Sequence, residues 1–128
     1  MADYNLTRLL MNELSSLGFS DIYPDIFPAD PVNSIVVKKG AGLNTYNSGK
    51  TGDNNPTFTV YVRNSNYEQA EAVCGEIADK LHNRYGFWLS DTVFVLQSER
   101  LSEPSSLGMD EQGHFRFNCN FHLQLISY

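Results

Sequence analysis

A single stretch near the end of the chain decides the fold: Phe115-Arg116-Phe117-Asn118-Cys119-Asn120-Phe121-His122-Leu123-Gln124-Leu125. Its odd-numbered residues are apolar and its even-numbered residues are polar, without a fault. Such strict alternation is typical of a β-strand with one buried face. Because strands average about 5–6 residues, this one is expected to bend or to pair with two different neighbours along its length.

Three shorter strands are predicted upstream. Ser34–Lys38 is a β-branched run, Thr57–Arg63 alternates apolar and polar residues, and Thr92–Leu96 is again rich in β-formers. The seventeen residues Lys39–Asn55 are rich in Gly and Asn and predict a long loop, mobile in the isolated subunit and ordered on assembly. The segment Leu101–Gln112 predicts a second loop.

Two segments have helical periodicity. Residues 4–17 place five leucines on one stripe, and residues 66–85 have an apolar face preceded by a capping box of Ser65 and Glu68. Between the first helix and the first strand, Phe19–Asn33 contains three prolines. Prolines at that spacing predict an irregular segment, although its aromatic residues favour contact with the core.

The resulting order, α-β-β-α-β-β, predicts an α+β fold. We expect a mainly antiparallel four-stranded sheet with two helices on one face, a polar opposite face, and a long loop between the first two strands. The pattern does not decide the strand order. With 128 residues, the chain is expected to form one domain spanning residues 1–128.

The charge balance argues against a protein that grips nucleic acid. Nine Lys and Arg stand against fifteen Asp and Glu, which gives a net charge of −6. Tight binding to DNA or RNA needs clustered cations that neutralise phosphates, and here the cations are scattered. No apolar run approaches the roughly 18 residues of a membrane helix, and no signal peptide is expected at the N-terminus.

Two candidate ligand sites are weak. The tripeptide Gly49-Lys50-Thr51 resembles the end of a phosphate-binding loop, but Asn44 stands where that motif needs glycine, and a strand rather than a helix follows. The second candidate, Asp110, Glu111 and His114, could ligate a metal, but a charged hairpin turn explains these residues equally well. We predict no cofactor and no metal.

Thiol catalysis is the remaining enzymatic candidate. Cys74 and Cys119 could pair with a histidine, yet both lie on the apolar faces of their elements, where cysteine usually acts as a small buried hydrophobe. We therefore predict two reduced, buried thiols and no catalytic residue. The residues alone therefore do not predict an enzyme, and the two long loops, the polar face of the last strand and the net acidity suit a small domain that assembles with copies of itself.

Several segments in order resemble one family. Pro104–Asp110, a glycine turn and Arg116–Phe121 together look like the small minor capsid or tail terminator (tail completion) proteins of long-tailed phages. Earlier in the chain, two more segments match the family's order of elements. They are Ile26–Pro28 and Val60–Arg63, the second of which leads into Tyr67–Ala70. The resemblance covers essentially the whole chain, although each motif alone has little specificity.

The resemblance implies a structural virion protein made in the bacterial host cytoplasm. Such proteins form a ring, commonly a hexamer, at the head-proximal end of the tail tube. The ring stops tube polymerisation and docks the head connector. The implied partners are other copies of the chain, the major tail tube protein and a head completion or connector protein, with DNA passing through the lumen without specific binding.

Two other functions remain open on the sequence. One is a head-side completion or connector protein, and the other is a monomeric protein-binding module that uses the polar sheet face or the 39–55 loop.

The ring implied by the resemblance needs a contact between subunits. The outward face of the last strand is polar but nearly uncharged, which suits a hydrated, hydrogen-bonded subunit contact. The predicted interface residues are Arg116, Asn118, Asn120, His122 and Gln124, with Leu43 and Tyr46 of the long loop and Leu107 and Asp110 of the resemblance motif.

Overall fold

The computed structural model describes residues 6–40 and 53–127, which form two helices and one sheet. The helices are α1 (Leu6–Ser16) and α2 (Tyr67–Leu81). The strands are β1 (Ile22–Pro24), β2 (Ser34–Lys39), β3 (Asp53–Asn54), β4 (Thr57–Asn64), β5 (Arg84–Trp88), β6 (Val93–Arg100), β7 (Ser105–Met109) and β8 (Phe115–Ser127). The α+β class is thus confirmed.

Strand β8 organises the sheet. On one edge it pairs with β4 over residues 115–122 and with β3 at residues 125–126. On the other edge it pairs with β7 over residues 115–118 and with β6 over residues 121–127. The expectation that the long strand serves two neighbours is confirmed on both of its edges.

The prediction of a four-stranded sheet is wrong. The described residues form an eight-stranded sheet with the main order β1-β2-β4-β8-β6-β5, from which β3 and β7 branch at β8. The sheet is mixed, because β1 runs parallel to β2 while the remaining pairs are antiparallel. The added strands are short or exposed, and therefore lack the buried-face alternation by which a strand is recognised in a sequence.

The core lies between the two helices and one face of the sheet. Leu6, Leu10 and Leu14 of α1 and the buried face of α2 form one cluster with the inward residues of β2, β4, β6 and β8. An ion pair between Glu13 and Arg84 ties α1 to β5. Both helices therefore cover the same face, as the sequence predicts, and the opposite face is called the outer face below.

Strand β1 lies inside the segment predicted to be irregular. Its pairing with β2 is completed by the N–H of Ile35, which donates to the Asp21 carbonyl at 2.9 Å, and by the N–H of Asp25, which donates to the Val37 carbonyl at 3.1 Å. Pro24 is tolerated because an edge strand needs donors on one side only. Strand pairing, rather than local propensity, makes this segment regular.

The start of α2 differs from the predicted capping box. The side chain of Asn66 accepts a hydrogen bond from the N–H of Gln69 at 3.0 Å, so Asn66 is the N-cap. Ser65 lies one residue too early for that role. Asparagine is as strong an N-cap as serine, which is why the cap moves by one position without loss.

The end of α2 was predicted four residues too late. The helix ends at Leu81, and Asn83 adopts a left-handed conformation with φ of 53°. Asparagine is one of the few residues that enter this region readily, and it commonly terminates helices there. Tyr85, the last residue of the predicted helix, instead lies in β5 and is exposed.

The two predicted loops also change. Residues 105–109 of the loop predicted over 101–112 form β7, which a tight turn at 110–113 joins to β8 as a hairpin. Strands β2 and β3 occupy both ends of the loop predicted over 39–55. Leu43, Tyr46 and the predicted mobility of this loop lie outside the described residues, as do residues 4 and 5 of the first predicted helix.

Candidate interaction surface

The five polar residues predicted on β8 lie together on the outer face. Arg116, Asn118, Asn120 and His122 are half-buried, whereas Gln124 is exposed. Strand β4 places Tyr61 opposite Asn118, and β6 places Glu99 opposite His122. The outer face therefore carries a polar row along β8, which is flanked by Tyr61 on β4 and Glu99 on β6.

The polar row is only partly satisfied within the subunit. The hydroxyl of Thr59 donates to Oδ1 of Asn120 at 2.6 Å, and Nδ1 of His122 lies 3.8 Å from a carboxylate oxygen of Glu99. Among the described residues, however, the buried Nε of Arg116 and Nε2 of His122 have no hydrogen-bond partner. Buried polar atoms without partners are rare in folded proteins and call for an explanation, such as a contact made on assembly.

Part of the outer face is covered by the strap, which we define as residues 25–33. The Phe27 ring packs edge-on against Tyr61 with centroids 6.5 Å apart, and the Arg63 guanidinium lies 4.7 Å from the Phe27 ring centre. Arg63 also donates to the carbonyls of Val32 at 2.8 Å and Pro31 at 3.1 Å, and to that of Pro28. The strap thus packs on the outer face, whereas Phe19 and Ile22, earlier in the same proline-containing segment, pack against the core as predicted.

A groove of about 230 Å³ separates the strap from β7. Its apolar wall is formed by Ile26, Phe27, Val36, Tyr61 and Leu107, and its charged residues are the cations Lys38 and Arg116 and the carboxylate Asp25. Leu107 and Arg116 both belong to the predicted interface, and the groove brings them together. Ile26 and Lys38 complete the same surface and were missed in the sequence, because the strap has no periodic pattern that places it on the sheet.

Asp110 has a different position from the other predicted interface residues. One oxygen of its carboxylate accepts from the N–H of His114 at 2.8 Å and from the N–H of Gln112 at 2.9 Å, and the other lies 3.3 Å from the His114 ring. These bonds, that from the His114 N–H above all, lower the pKa of the Asp110 carboxyl. The carboxylate therefore stabilises the β7–β8 turn, as the charged-turn interpretation predicts.

This geometry predicts a charge-dependent contribution of Asp110 to stability. Since its pKa is lower in the folded state, the contribution is present above the unfolded value of 3.8 and is lost as the pH falls through the folded pKa. We expect Asp110→Asn, which keeps an acceptor but removes the charge, to lower the melting temperature at pH 7. Thermal unfolding at about pH 3 should show a smaller difference between the two proteins; an equal difference at both pH values would contradict the assignment.

A second exposed surface lies at the β5–β6 end of the sheet. Trp88 is 54% exposed, and its ring packs against that of Phe94 with centroids 4.8 Å apart. Tyr85 and Leu96 on the same two strands are also exposed. The aromatic run after Gly86, which includes the single tryptophan of the chain, was the signal for this surface.

Of the two candidate ligand sites, only the second lies within the described residues. Gly49-Lys50-Thr51 lies outside the described residues. Asp110 and His114 are in contact, but within residues 6–40 and 53–127 no three metal-ligating side chains converge. Neither described helix is long and apolar enough to cross a membrane.

The two cysteines are free and buried, which confirms the prediction from their apolar positions. Burial raises the pKa of the Cys74 thiol to about 12 and also raises that of Cys119. Cys119 points its Sγ at the Ser102 carbonyl, 3.2 Å away. Both groups are therefore protonated near neutral pH, and only the thiolate is a good nucleophile.

We accordingly expect slow thiol chemistry in the native protein. At pH 8 a thiol reagent should modify Cys74 and Cys119 only slowly, and should titrate two thiols after denaturation. The control is the same reaction on free cysteine. Rapid modification of both thiols before unfolding, or no free thiol afterwards, would contradict the buried positions.

Comparison with known proteins now defines the class. The sequence model of a family described as "Bacteriophage tail terminator protein" matches residues 11–126. A chain of the solved "Virion of native gene transfer agent (GTA) particle" is similar in structure, with a TM-score of 0.60 and 18% sequence identity, over 98% of this chain and 87% of that chain. At this identity the likeness concerns the fold. No curated protein matches the chain.

The family match makes this protein a structural component of the phage virion, located in the tail. More particularly, the chain belongs to the bacteriophage tail terminator family, since the match spans nearly its whole length. The resemblance drawn from the sequence motifs is thereby confirmed.

Proposed function

We propose that the protein forms a ring at the head-proximal end of the tail tube. The ring stops tube polymerisation and presents the surface that docks a head completion or connector protein. Family membership supports the terminator role. The observation that carries the ring is the half-buried polar row of β8, in which Arg116 and His122 each keep a buried nitrogen without a partner among the described residues.

The ring is closed by a heterologous contact, in which two different surfaces of each subunit meet. Such contacts close into rings when the rotation between neighbours allows it. Six copies of 14.4 kDa give a mass of about 86 kDa. The subunit contact includes Leu107 and the outward residues of β8, which are Arg116, Asn118, Asn120, His122 and Gln124. The proposed contact also includes Leu43 and Tyr46 of the long loop. Asp110 holds the turn between the strand of Leu107 and β8.

Electron microscopy of assembled tails tests this function. A label on this protein should mark a ring at the head-proximal end, and particles made without it should carry tubes of unregulated length. Complementation with the wild-type protein is the control. A label at the distal tip or inside the head would exclude the terminator role, and normal tube length without the protein would exclude its role in stopping polymerisation.

The acidity of the subunit supports passage of DNA through the lumen. A net charge of −6 per subunit gives a ring a negative potential, and duplex DNA carries about one negative charge per 1.7 Å. Repulsion then keeps the duplex from sticking to the wall. Purified protein should not retain duplex DNA at moderate salt, and sub-micromolar binding would contradict the repelling lumen even if the ring were present.

Two alternatives have distinct outcomes. A head-side completion or connector protein would have the same acidity, but it would copurify with heads that lack tails. A monomeric protein-binding module would contribute a single 14.4 kDa copy to the complex with its partner. The number of copies of this protein in purified tails, measured relative to the tube protein, separates both alternatives from a ring. A ring at the tail end gives several copies per tail, whereas a head-side protein is absent from tails and a monomeric module gives one copy per partner.

A further inference from the structure

The turn between β5 and β6 has the features of an insertion element. We define residues 88–92 as the plug. Its backbone is held by the N–H of Leu89, which donates to the Val93 carbonyl at 2.9 Å, and by the N–H of Thr92, which donates to the Ser90 hydroxyl at 3.2 Å. The plug begins with the half-exposed Trp88 and presents the exposed carboxylate of Asp91. A large aromatic ring and an acid thus occupy one rigid, exposed turn.

The groove between the strap and β7 has the complementary features. We define it as the socket. Its wall includes Ile26, which is 77% exposed, and Leu107, which is also exposed, and its charged residues are the cations Lys38 and Arg116 and the carboxylate Asp25, so that cations predominate. The Arg116 guanidinium makes one long contact, 3.5 Å to the Leu107 carbonyl, and its Nε is buried without a partner among the described residues. The socket therefore offers apolar surface and a net positive charge to a ligand that is aromatic and acidic.

The plug and the socket lie at opposite ends of β8. The socket includes Arg116, whereas the plug packs beside Phe94, which pairs with Ile126. Ten residues separate Arg116 from Ile126, or about 33 Å along an extended strand. Because both surfaces belong to the same rigid sheet, the plug of one subunit cannot reach its own socket. Two complementary surfaces at opposite ends of one body are the arrangement that a head-to-tail contact needs.

We propose that the plug of one subunit docks into the socket of the next copy of this chain. Trp88 packs against Ile26 and Leu107, while Asp91 pairs with Lys38 and Arg116. Tryptophan and arginine are the residues that most often dominate interface energetics, above all where they become desolvated. The closure of this contact into a ring rests on the function proposed above, whereas the contact itself does not.

Mixing two variants tests the head-to-tail geometry. Trp88→Ala removes the plug, and Leu107→Asp removes the socket. At a concentration where the wild-type protein is a closed oligomer, each variant alone should be monomeric. An equimolar mixture should form a dimer of about 29 kDa and nothing larger, because one intact plug meets one intact socket. Tyr85→Ala, which removes an exposed aromatic ring from the same edge, should assemble like the wild type.

Three results would overturn the contact. Both variants could assemble normally, the mixture could stay monomeric although the wild type assembles, or the emission of Trp88, the only tryptophan, could fail to shift to shorter wavelength on assembly. If Trp88→Ala leaves the ring intact but abolishes its attachment to the tube, the plug binds another virion protein and the proposed partner is wrong.

Cross-linking in assembled tails covers a protein that is monomeric in dilute solution. The double variant Lys38→Cys and Asp91→Cys, treated with a short bis-maleimide in purified tails, should give a ladder of linked subunits, whereas either single variant should give none. The native cysteines are buried and do not compete. A labelled ring without a ladder would refute this contact and leave the terminator function standing, while a ladder in tails without a head-proximal ring would do the reverse.

Discussion

Replacing Phe121 with alanine is expected to cost about 3–5 kcal/mol of unfolding free energy, the usual range for a buried Phe→Ala change. The Phe121 ring is 2% exposed and lines a small space together with Leu10 and Leu14 of α1 and Leu81 of α2. Its backbone pairs with β4 at Phe58 and with β6 at Arg100. A cavity at this position therefore weakens both helices and the centre of the sheet at once.

For a domain with a total stability of about 5–15 kcal/mol, this loss should lower the melting temperature by about 10–20 °C. Urea unfolding followed by circular dichroism measures the change in free energy. The matched control is Tyr85→Ala, which truncates an aromatic ring that is 62% exposed on the edge strand β5 and should cost less than about 1 kcal/mol. A cost for Phe121→Ala no larger than that of the control would place Phe121 outside the core.

Arg63→Ala is expected to cost about 2–4 kcal/mol, since it removes a buried guanidinium and leaves three half-buried carbonyl groups without their donor. Arg63 is 8% exposed, and its guanidinium binds the carbonyls of Pro28, Pro31 and Val32 on the strap. The same group stacks on Phe27. The substitution should therefore release the strap from the outer face as well as lower the stability of the whole domain.

Two readouts separate release of the strap from general destabilisation. Limited proteolysis should cut Arg63→Ala first within residues 25–33, and hydrogen exchange should rise there more than in β8. Arg63→Lys keeps the charge but loses the planar fork of donors, so it should recover only part of the stability. Lys39→Ala removes an exposed cation from the neighbouring strand and should change the free energy by less than about 0.5 kcal/mol. Uniform exchange in Arg63→Ala would contradict a local role in holding the strap.

Release of the strap would also disturb assembly, because Ile26 and Phe27 form one wall of the socket. Arg63 does not line the socket, so its effect on assembly would pass through the position of the strap. An osmolyte that restores the melting temperature of Arg63→Ala should therefore not restore its assembly. Recovery of both together would show that Arg63 acts on stability alone.

The periodic elements could be predicted from the sequence because they bury one face. The alternation from Phe115 to Leu125 sets the inward and outward sides of β8, and the leucines of α1 and the apolar face of α2 set the face that the helices cover. Such patterns are local consequences of burial, so they can be recognised without knowing which other element the strand or helix packs against. The same alternation placed Arg116 and His122 on the surface that the structure leaves partly unsatisfied.

The remaining strands depended on pairing that no local pattern records. Strand β1 exists because β2 offers its edge to Ile22–Pro24, and β7 exists because the Asp110 turn brings Ser105–Met109 back onto β8. The order of the strands and the position of the strap over Tyr61 likewise arise between residues far apart in the chain. The sequence by itself therefore determined the fold class, the buried face and the polar row. The tertiary structure alone decided which strands complete the sheet and that Ile26, Lys38, Leu107 and Arg116 meet in one groove, because edge pairing and packing on the outer face are contacts between distant residues.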